Sequence, residues 1–82
     1  MKENYLSSWI EKNQQLYQKF EFKDFKEAMI FGNEIAELSE IANHHPTLVI
    51  GWGFVEVYLF TFSQNRITDQ DWELAQKIQE LH

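Results

Sequence analysis

The chain changes from a helical to a strand pattern at one short corner, Asn43-His44-His45-Pro46. Before this corner apolar residues recur at helical spacing, and beyond it β-prone and alternating segments follow. Proline pushes the preceding residue to an extended backbone, so a helix cannot continue through His45. The corner therefore requires a helix-to-strand connection in the middle of the chain, with two imidazoles displayed at the junction.

The segments on either side of the corner predict four strands and two helices. Residues 16–22 alternate between apolar and polar side chains, and residues 54–62 form the longest strand pattern. The predicted order is a short strand at Trp9-Ile10, a turn at 11–15, a strand at 16–22, a helix from Asp24 to Ala42, a short strand at 47–50, a turn at 51–53, a strand at 54–62, a loop at 63–66 and a final helix capped by Thr68.

Both predicted helices begin at capping residues and carry an apolar stripe. Asp24 is a suitable N-cap with Glu27 three positions later, and Thr68 is followed by Asp71 at the same spacing. The first stripe comprises Ala28, Phe31, Ile35, Leu38 and Ala42, and the second comprises Trp72, Ala75, Ile78 and Leu81. Because strands close in sequence tend to pair antiparallel, we predict one α+β domain over residues 1–82. It has a four-stranded antiparallel sheet with helices packed on one face.

Composition excludes several functional classes. The chain has no cysteine, so it can form neither a disulfide framework nor a thiolate metal site. The formal net charge is −6 and the seven basic residues are scattered, which disfavours direct binding of nucleic acid. No apolar run approaches the roughly 18 residues of a membrane span, and the first residues lack the apolar core of a signal peptide. We therefore expect a cytoplasmic protein without membrane attachment.

The paired histidines suggest proton-transfer chemistry. Imidazole is the side chain that exchanges protons near neutral pH, although a polar loop that happens to hold two histidines is the alternative. Glu40 lies four residues before His44, so a continuing helix would place its carboxylate beside that ring to orient it. A solvated helix residue is the other interpretation of Glu40. A metal site is not expected, because adjacent residues rarely ligate one ion and few other ligands exist.

Five ordered segments carry a resemblance to a known family. They are FEFKDFKEAMIF at 20–31, EIANHHP at 40–46, Trp52, VEVYLFT at 55–61 and ITDQDWELA at 67–75. Together they resemble the pterin-4a-carbinolamine dehydratases, also called 4a-hydroxytetrahydrobiopterin dehydratases. The resemblance implies dehydration of a 4a-hydroxytetrahydropterin to quinonoid dihydropterin, as in tetrahydrobiopterin recycling, without a metal or organic cofactor.

The resemblance also implies roles for particular residues. His44 and His45 would handle protons, in an order that remains open, with Glu40 as the acid of the motif. Pterin-binding positions would be Pro46, Trp52, Thr61, Phe62 and Ser63. Trp52 suits either a wall for the flat pterin ring or ordinary core packing. Asp71 matches a family position, but helix capping explains it sufficiently. The resemblance further implies a homodimer or homotetramer, which agrees with Ile30 and Ile41 lying off the apolar stripe.

Two departures from the family pattern bear on activity. Phe62 stands where the family usually carries a third histidine, and two glycines of the following loop are replaced. The usual N-terminal helix is absent or reduced to Met1–Ser8. We therefore predict a dehydratase weakened at Phe62. The alternative is a scaffold or dimerisation protein that keeps the fold and has lost the chemistry.

Overall fold

The computed structural model describes residues 8–82, which form a four-stranded sheet and two helices. In chain order the elements are β1 (Ile10–Lys12), β2 (Gln15–Glu21), α1 (Phe25–Ala42), β3 (Thr47–Gly51), β4 (Phe54–Leu59) and α2 (Asp69–Leu81). The prediction of an N-terminal helix that is absent or reduced to Met1–Ser8 falls almost entirely on residues 1–7, which lie outside this description.

The strands form one antiparallel sheet in the order β1-β2-β4-β3. β4 is central and pairs with β2 on one side and β3 on the other. The connection from β2 to β3 therefore passes over β4, and α1 provides that crossing along one face of the sheet. The predicted α+β class with a four-stranded antiparallel sheet is confirmed.

Both hairpins turn through two residues, with a left-handed backbone at both turn residues of the first hairpin and at only the second turn residue of the other. Asn13 and Gln14 have φ angles of 54° and 67°, and Gly53 has 83°. Positive φ at both central residues, as at Asn13 and Gln14, matches the twist of the flanking strands. The predicted turn at 11–15 is wrong in extent, because Glu11 and Lys12 pair with β2 as part of β1. A strand of three exposed residues has no apolar alternation by which sequence could reveal it.

The predicted strand at 54–62 is too long, since β4 ends at Leu59. The chain then forms a tight turn in which the Thr61 N–H donates to the Arg66 carbonyl at 3.1 Å. Asn65 adopts φ 56° within this turn. Asparagine tolerates the left-handed region better than most residues, so it serves where a loop glycine was expected.

The inner face of the sheet packs against both helices. Alternate residues of β2 and β4 are buried, as predicted, and meet one stripe from each helix. The core comprises Trp9, Leu16, Phe20, Ala28, Phe31, Ile35, Val55, Val57, Leu59, Leu74, Ala75 and Ile78. Of the two helices in residues 8–82, neither is long and apolar enough to cross a membrane.

The helix caps are as predicted, but the stripe of α2 is not. Asp24 accepts a hydrogen bond from the Glu27 N–H at 2.9 Å, and Thr68 with Asp71 forms a capping box. Trp72 and Leu81 were predicted to be buried, yet they are 38% and 37% exposed. The buried residues are instead Asp71, Leu74, Ala75 and Ile78. The stripe is therefore rotated by one position and begins with an acid.

A single glutamine holds the N-terminal part of the described chain to α2. The Gln79 side-chain carbonyl accepts hydrogen bonds from Gln18 Nε2 at 2.7 Å, Trp9 Nε1 at 3.1 Å and Ser8 Oγ at 3.4 Å. A buried indole N–H needs such a partner. Gln79 thus ties β2 and the segment before β1 to the last turns of the final helix.

The outer face of the sheet carries a phenol–carboxylate pair. Tyr17 donates a hydrogen bond to Glu56 Oε2 at 2.7 Å, and its ring lies 4.9 Å from that of Tyr58. This hydrogen bond, followed by burial, raises the pKa of Tyr17 from 10.0 to about 12. A raised folded-state pKa means that the pair stabilises the fold fully below pH 10. That contribution is lost as the pH rises through about 12.

We predict that Glu56→Gln lowers the pKa of Tyr17 toward 10, because it removes the negative charge that opposes ionisation of the phenol. Ultraviolet titration of tyrosinate absorbance measures the effect. Glu21→Gln on the same strand as Tyr17 is the matched control, since Glu21 is salt-bridged to Lys19. A tyrosine titration curve that is identical in wild type and Glu56→Gln would contradict the assignment.

Candidate active site

A left-handed cap at the end of α1 determines where the two histidines go. Asn43 has φ 53° and ψ 42°. Its N–H donates to the Glu40 carbonyl at 3.3 Å, and the His44 N–H donates to the Ser39 carbonyl at 3.2 Å. These are the two hydrogen bonds of a Schellman motif. α1 thus ends at Ala42, two residues before His44, and Pro46 then directs the chain into β3.

His44 points to the N-terminus of α2, where it meets a buried carboxylate. Its Nε2 lies 2.6 Å from Asp71 Oδ1, and the side chains of His44 and Asp71 are 13% and 0% exposed. An ion pair or hydrogen bond this well shielded is screened little by solvent. The contact joins the end of α1 to the start of α2.

The other oxygen of Asp71 organises a directional chain of hydrogen bonds. Oδ2 accepts from Thr61 Oγ1 at 2.7 Å and from the Thr68 N–H at 2.9 Å. Thr61 Oγ1 and Thr68 Oγ1 are also 2.7 Å apart. Since Thr61 has one hydroxyl proton and gives it to Asp71, Thr68 must donate to Thr61. Oδ2 thus accepts from both threonines, and an ionised Asp71 also accepts at Oδ1 when His44 carries its proton on Nε2.

Glu40 pairs with the second histidine. His45 Nε2 lies 2.7 Å from Glu40 Oε2, and the two side chains are 54% and 77% exposed. The prediction that Glu40 orients His44 is wrong. That prediction assumed a continuing helix, but the cap at Asn43 turns His44 toward α2 and brings His45 back to Glu40. Each histidine consequently has its own carboxylate.

A cavity of about 300 Å³ lies beside these pairs. Phe62 is 70% exposed and packs edge-to-face on Phe60, with ring centroids 5.0 Å apart. Most of the exposed wall is polar, and the aromatic pair supplies an apolar side. The lining residues are Asn43, His44, His45, Phe60, Thr61, Phe62, Ser63 and Gln70. The structure thus brings together the predicted histidines and the predicted positions Thr61, Phe62 and Ser63.

Two of the predicted pterin-binding residues do not line this cavity. Pro46 lies between His45 and β3, where it shapes the backbone. Trp52 is 73% exposed in the turn between β3 and β4, at the opposite end of that hairpin. Trp52 lies six positions beyond Pro46, across the five residues of β3, a distance of about 20 Å. Trp52 belongs neither to the core nor to the cavity of its own chain.

Asp71 is the site residue that sequence interpretation assigned to capping alone. It does cap α2 through Thr68, but its other oxygen holds His44. The spacing of residues in α2 already indicated that Asp71 is buried. Asp71, Leu74, Ala75 and Ile78 follow the i, i+3, i+4, i+7 pattern of a buried face. An acid at a buried helical position needs a partner, and counting Trp72 into the stripe concealed it.

Among the hydrogen bonds within residues 8–82, each of the two imidazoles uses only its Nε2. Because both Nε2 atoms face carboxylates, Nδ1 is the nitrogen left to exchange a proton with a bound molecule. Every buried side-chain polar atom among residues 8–82 has a hydrogen-bond partner. In the same part of the chain, no group of three or more His, Cys, Asp or Glu side chains is arranged to hold a metal ion.

Known proteins with similar sequences carry a common description. A 40% identical protein of Thermomicrobium roseum aligns over 93% of this chain and 82% of its own length. A 39% identical protein of Rubrobacter xylanophilus aligns over 80% of this chain. The aligned part covers 62% of that relative's length. Both are provisionally named pterin-4-alpha-carbinolamine dehydratases.

Solved structures agree with the fold. A transcriptional coactivator/pterin dehydratase from Brucella melitensis superposes with a TM-score of 0.87 at 29% identity, over 98% of this chain and 87% of that one. A pterin dehydratase-like protein, described as a RuBisCO assembly factor of the alpha-carboxysome, superposes with a TM-score of 0.77 at 22% identity. The alignment with this second structure covers 94% of the present chain and 92% of the RuBisCO assembly factor.

A family comparison covers nearly the whole chain. The family model for Pterin 4 alpha carbinolamine dehydratase matches residues 1–81. Together with the relatives above, this match confirms the resemblance seen in the five sequence segments. The chain belongs to the pterin-4-alpha-carbinolamine dehydratase family.

Proposed function

We propose that the chain dehydrates a 4a-hydroxytetrahydropterin to quinonoid dihydropterin by histidine acid–base catalysis. The observation that carries the proposal is the pair of histidine–carboxylate contacts beside one cavity, in a member of this family. Two proton-transfer groups are what the reaction needs, and each is held by its own acid. Imidazoles suit the task because their ordinary pKa lies near the working pH.

The proton balance of the reaction assigns one task to each ring. One imidazolium donates a proton to the hydroxyl at C4a, and the C4a–O bond breaks with its electron pair to release water. The other, neutral imidazole accepts the proton from N5, and the N5–H electrons form the C4a=N5 double bond. Solvent then restores both rings to their starting states. His44 and His45 fill these two roles, in either order.

Asp71 and Glu40 act in this proposal as positioning residues. Asp71 holds the proton of His44 on Nε2, so Nδ1 is kept available to the pterin. Glu40 does the same for His45 in a more exposed setting. A carboxylate that fixes the tautomer and orientation of a catalytic imidazole is a recurring arrangement in acid–base catalysis.

A scaffold role on the same fold is the second candidate function. Phe62, at the position of the usual third histidine, can neither donate nor accept a proton. The solved neighbour described as a RuBisCO assembly factor has the same fold, although at 22% identity the likeness extends to the fold alone. Retention of the exposed His45–Glu40 pair favours the enzyme, since the fold does not depend on it, whereas the buried His44–Asp71 bond would serve either role.

We expect His44→Ala and His45→Ala each to lower kcat/KM by about 10²–10⁴-fold, because each removes one proton-transfer group. His44→Ala also takes a partner from buried Asp71, which costs about 1–3 kcal/mol of folding free energy. His45→Ala removes an exposed ring and should leave stability nearly unchanged. Quinonoid-dihydropterin formation and urea unfolding measure the two effects. Near-wild-type rates in both variants would support the scaffold role.

We expect Asp71→Asn to lower kcat by about 10²–10⁴-fold while the variant still folds. The single oxygen of the introduced amide can accept the hydrogen bonds from Thr61 and Thr68. The amide N–H₂ group then faces His44 Nε2, so the ring of His44 must carry its proton on Nδ1. Kinetics and ¹⁵N shifts of the His44 ring report the loss of rate and the change of tautomer. Asp24→Asn, the same substitution at the cap of α1, is the control. Unchanged kcat and tautomer in Asp71→Asn would contradict the role.

We expect Phe62→His to raise turnover by about 10-fold, because it supplies an additional proton-transfer group beside His44 and His45. Its exposed position makes the substitution easy to accommodate. Single-turnover dehydration is the measurement, with pterin binding followed in parallel. Phe54→His, at the start of β4 and outside the cavity, is the matched control. An unchanged rate in a folded Phe62→His variant that still binds pterin would refute this expectation.

A further inference from the structure

The turn after β4 carries an arginine beside the histidines. Asn65 and Arg66 occupy the positions of the two loop glycines that the family pattern predicts. Arg66 pairs with Thr61 in an isolated antiparallel β-bridge. Directly opposed residues of such a pair lie about 5 Å apart, with their side chains on the same side. Because Thr61 lines the cavity beside the histidines, the only arginine of the chain is fixed next to that cavity.

The guanidinium of Arg66 is held in place and has unused donors. Its Nη2 donates to Gln64 Oε1 at 2.9 Å, and its Nη1 donates to the Ile67 carbonyl at 3.4 Å. It forms no ion pair with any residue in the range 8–82. Arginine has more N–H groups than these two contacts use, and their planar fork matches a carboxylate or a phosphate. The side chain is therefore available to bind an anion.

A second cavity, of about 400 Å³, opens around Arg66. Trp72 lines it and is 38% exposed, so an aromatic ring forms part of the wall. Gln70 lines this second cavity and also the cavity beside the histidines. One glutamine side chain therefore separates the two spaces. A planar group that enters the second cavity can stack on the indole.

The structure of the pterin ring determines where a substituent can leave the first cavity. C4a, N5 and C6 are consecutive ring atoms, so a substituent on C6 leaves beside the imidazole that accepts the N5 proton. His44 and Gln70 are neighbours, since both also line a smaller cavity of about 80 Å³ at the junction of α1 and α2. His45 is 54% exposed. An exit beside His44 leads across Gln70 into the second cavity, whereas an exit beside His45 leads into solvent.

We propose that the substrate pterin carries an anionic substituent at C6, which crosses Gln70 and binds Arg66 in the second cavity. N5 then faces His44, which accepts its proton. The inference rests on the proposed function, because it requires a pterin in the first cavity. The anionic group is a phosphate or a carboxylate at the end of the substituent, and either accepts paired hydrogen bonds from a guanidinium.

Other charges limit how strongly this cavity binds an anion. Asp69 also lines it, and the whole chain has a formal net charge of −6. Exposed charge pairs contribute little in water, so we expect a preference of about 5-fold for an anionic over a neutral substituent. Added salt should reduce the preference by screening the pair. Asp69→Asn should increase it, because this substitution removes the opposing charge.

Binding of three dihydropterins tests the site. Dihydroneopterin has a neutral substituent, its phosphate ester ends in a phosphate, and dihydrofolate ends in carboxylates beyond an aryl group. The ratio of the neutral to the anionic dissociation constant should be about 5 in wild type and about 1 in Arg66→Gln. Lys26→Gln is the matched control, since it removes the same charge near the start of α1, far from the histidines, and should keep the wild-type ratio.

The absence of any preference for either anionic pterin in wild type would overturn the proposal. A preference that Arg66→Gln leaves unchanged would overturn it equally. Arg66→Lys provides a further check, because it keeps the charge and should retain part of the preference.

Trp72→Ala distinguishes the two sources of the anion. Loss of the indole should weaken dihydrofolate binding by about 5-fold, because the aryl group loses its stacking partner. The phosphate ester has no aryl group and should bind Trp72→Ala as it binds wild type. A wild-type preference for dihydrofolate that depends on both Arg66 and Trp72 would support a carboxylate substituent. A preference for the phosphate ester that depends on Arg66 alone would support a phosphate.

The same measurements separate this inference from the proposed function. A wild type that binds and dehydrates neutral pterin without preferring an anionic one would overturn the role of Arg66 and leave the dehydratase intact. A preference abolished by Arg66→Gln in a protein without turnover would support the anion site and end the catalytic proposal. A wild type that binds no pterin would overturn both.

Discussion

The buried hydrogen bond between His44 and Asp71 is the interaction on which the site depends. It connects the end of α1 to the start of α2, and through Thr61 it reaches the segment that follows β4. Three separate parts of the chain are thereby fixed at one end of the sheet. Asp71 is fully buried, so any loss of its partners leaves a carboxylate without compensation. The same bond thus serves folding and the orientation of one imidazole.

Short-range patterns were sufficient to predict most of the fold. The alternation of β2 and β4, the caps at Asp24 and Thr68, and the break at Pro46 each depend on residues within a few positions of one another. The paired histidines His44 and His45 were evident from the residues themselves, and the resemblance to the family added the positions around Phe62. Local backbone preference and side-chain periodicity determine each of these features without tertiary contacts.

The errors arose where tertiary geometry decides. Glu40 was assigned to His44 from helical spacing, but the left-handed cap at Asn43 redirects both histidines. Trp72 was placed in the apolar stripe because it is large and hydrophobic, whereas Asp71 occupies the buried position. Neither result can be read from composition, since each depends on how the start of α2 meets the end of α1. The location of Trp52 likewise follows only from the length of the β3–β4 hairpin.

Exposure divides the site into two halves with different physical characters. His44 is enclosed and tied to a hydrogen-bond network, while His45 and Glu40 lie near the open edge of the sheet beside β3. The enclosed half is complete within one chain. The open half shares its cavity with the apolar rings of Phe60 and Phe62.

The most direct test of the central claim is quinonoid-dihydropterin formation from a 4a-hydroxytetrahydropterin, with purified wild type compared with a His44→Ala/His45→Ala double variant and with buffer alone. The account predicts that wild type accelerates dehydration well above the spontaneous rate and that the double variant falls close to it. A wild type no faster than its double variant, with both proteins folded and in the same oligomeric state, would show that the paired histidines are not catalytic.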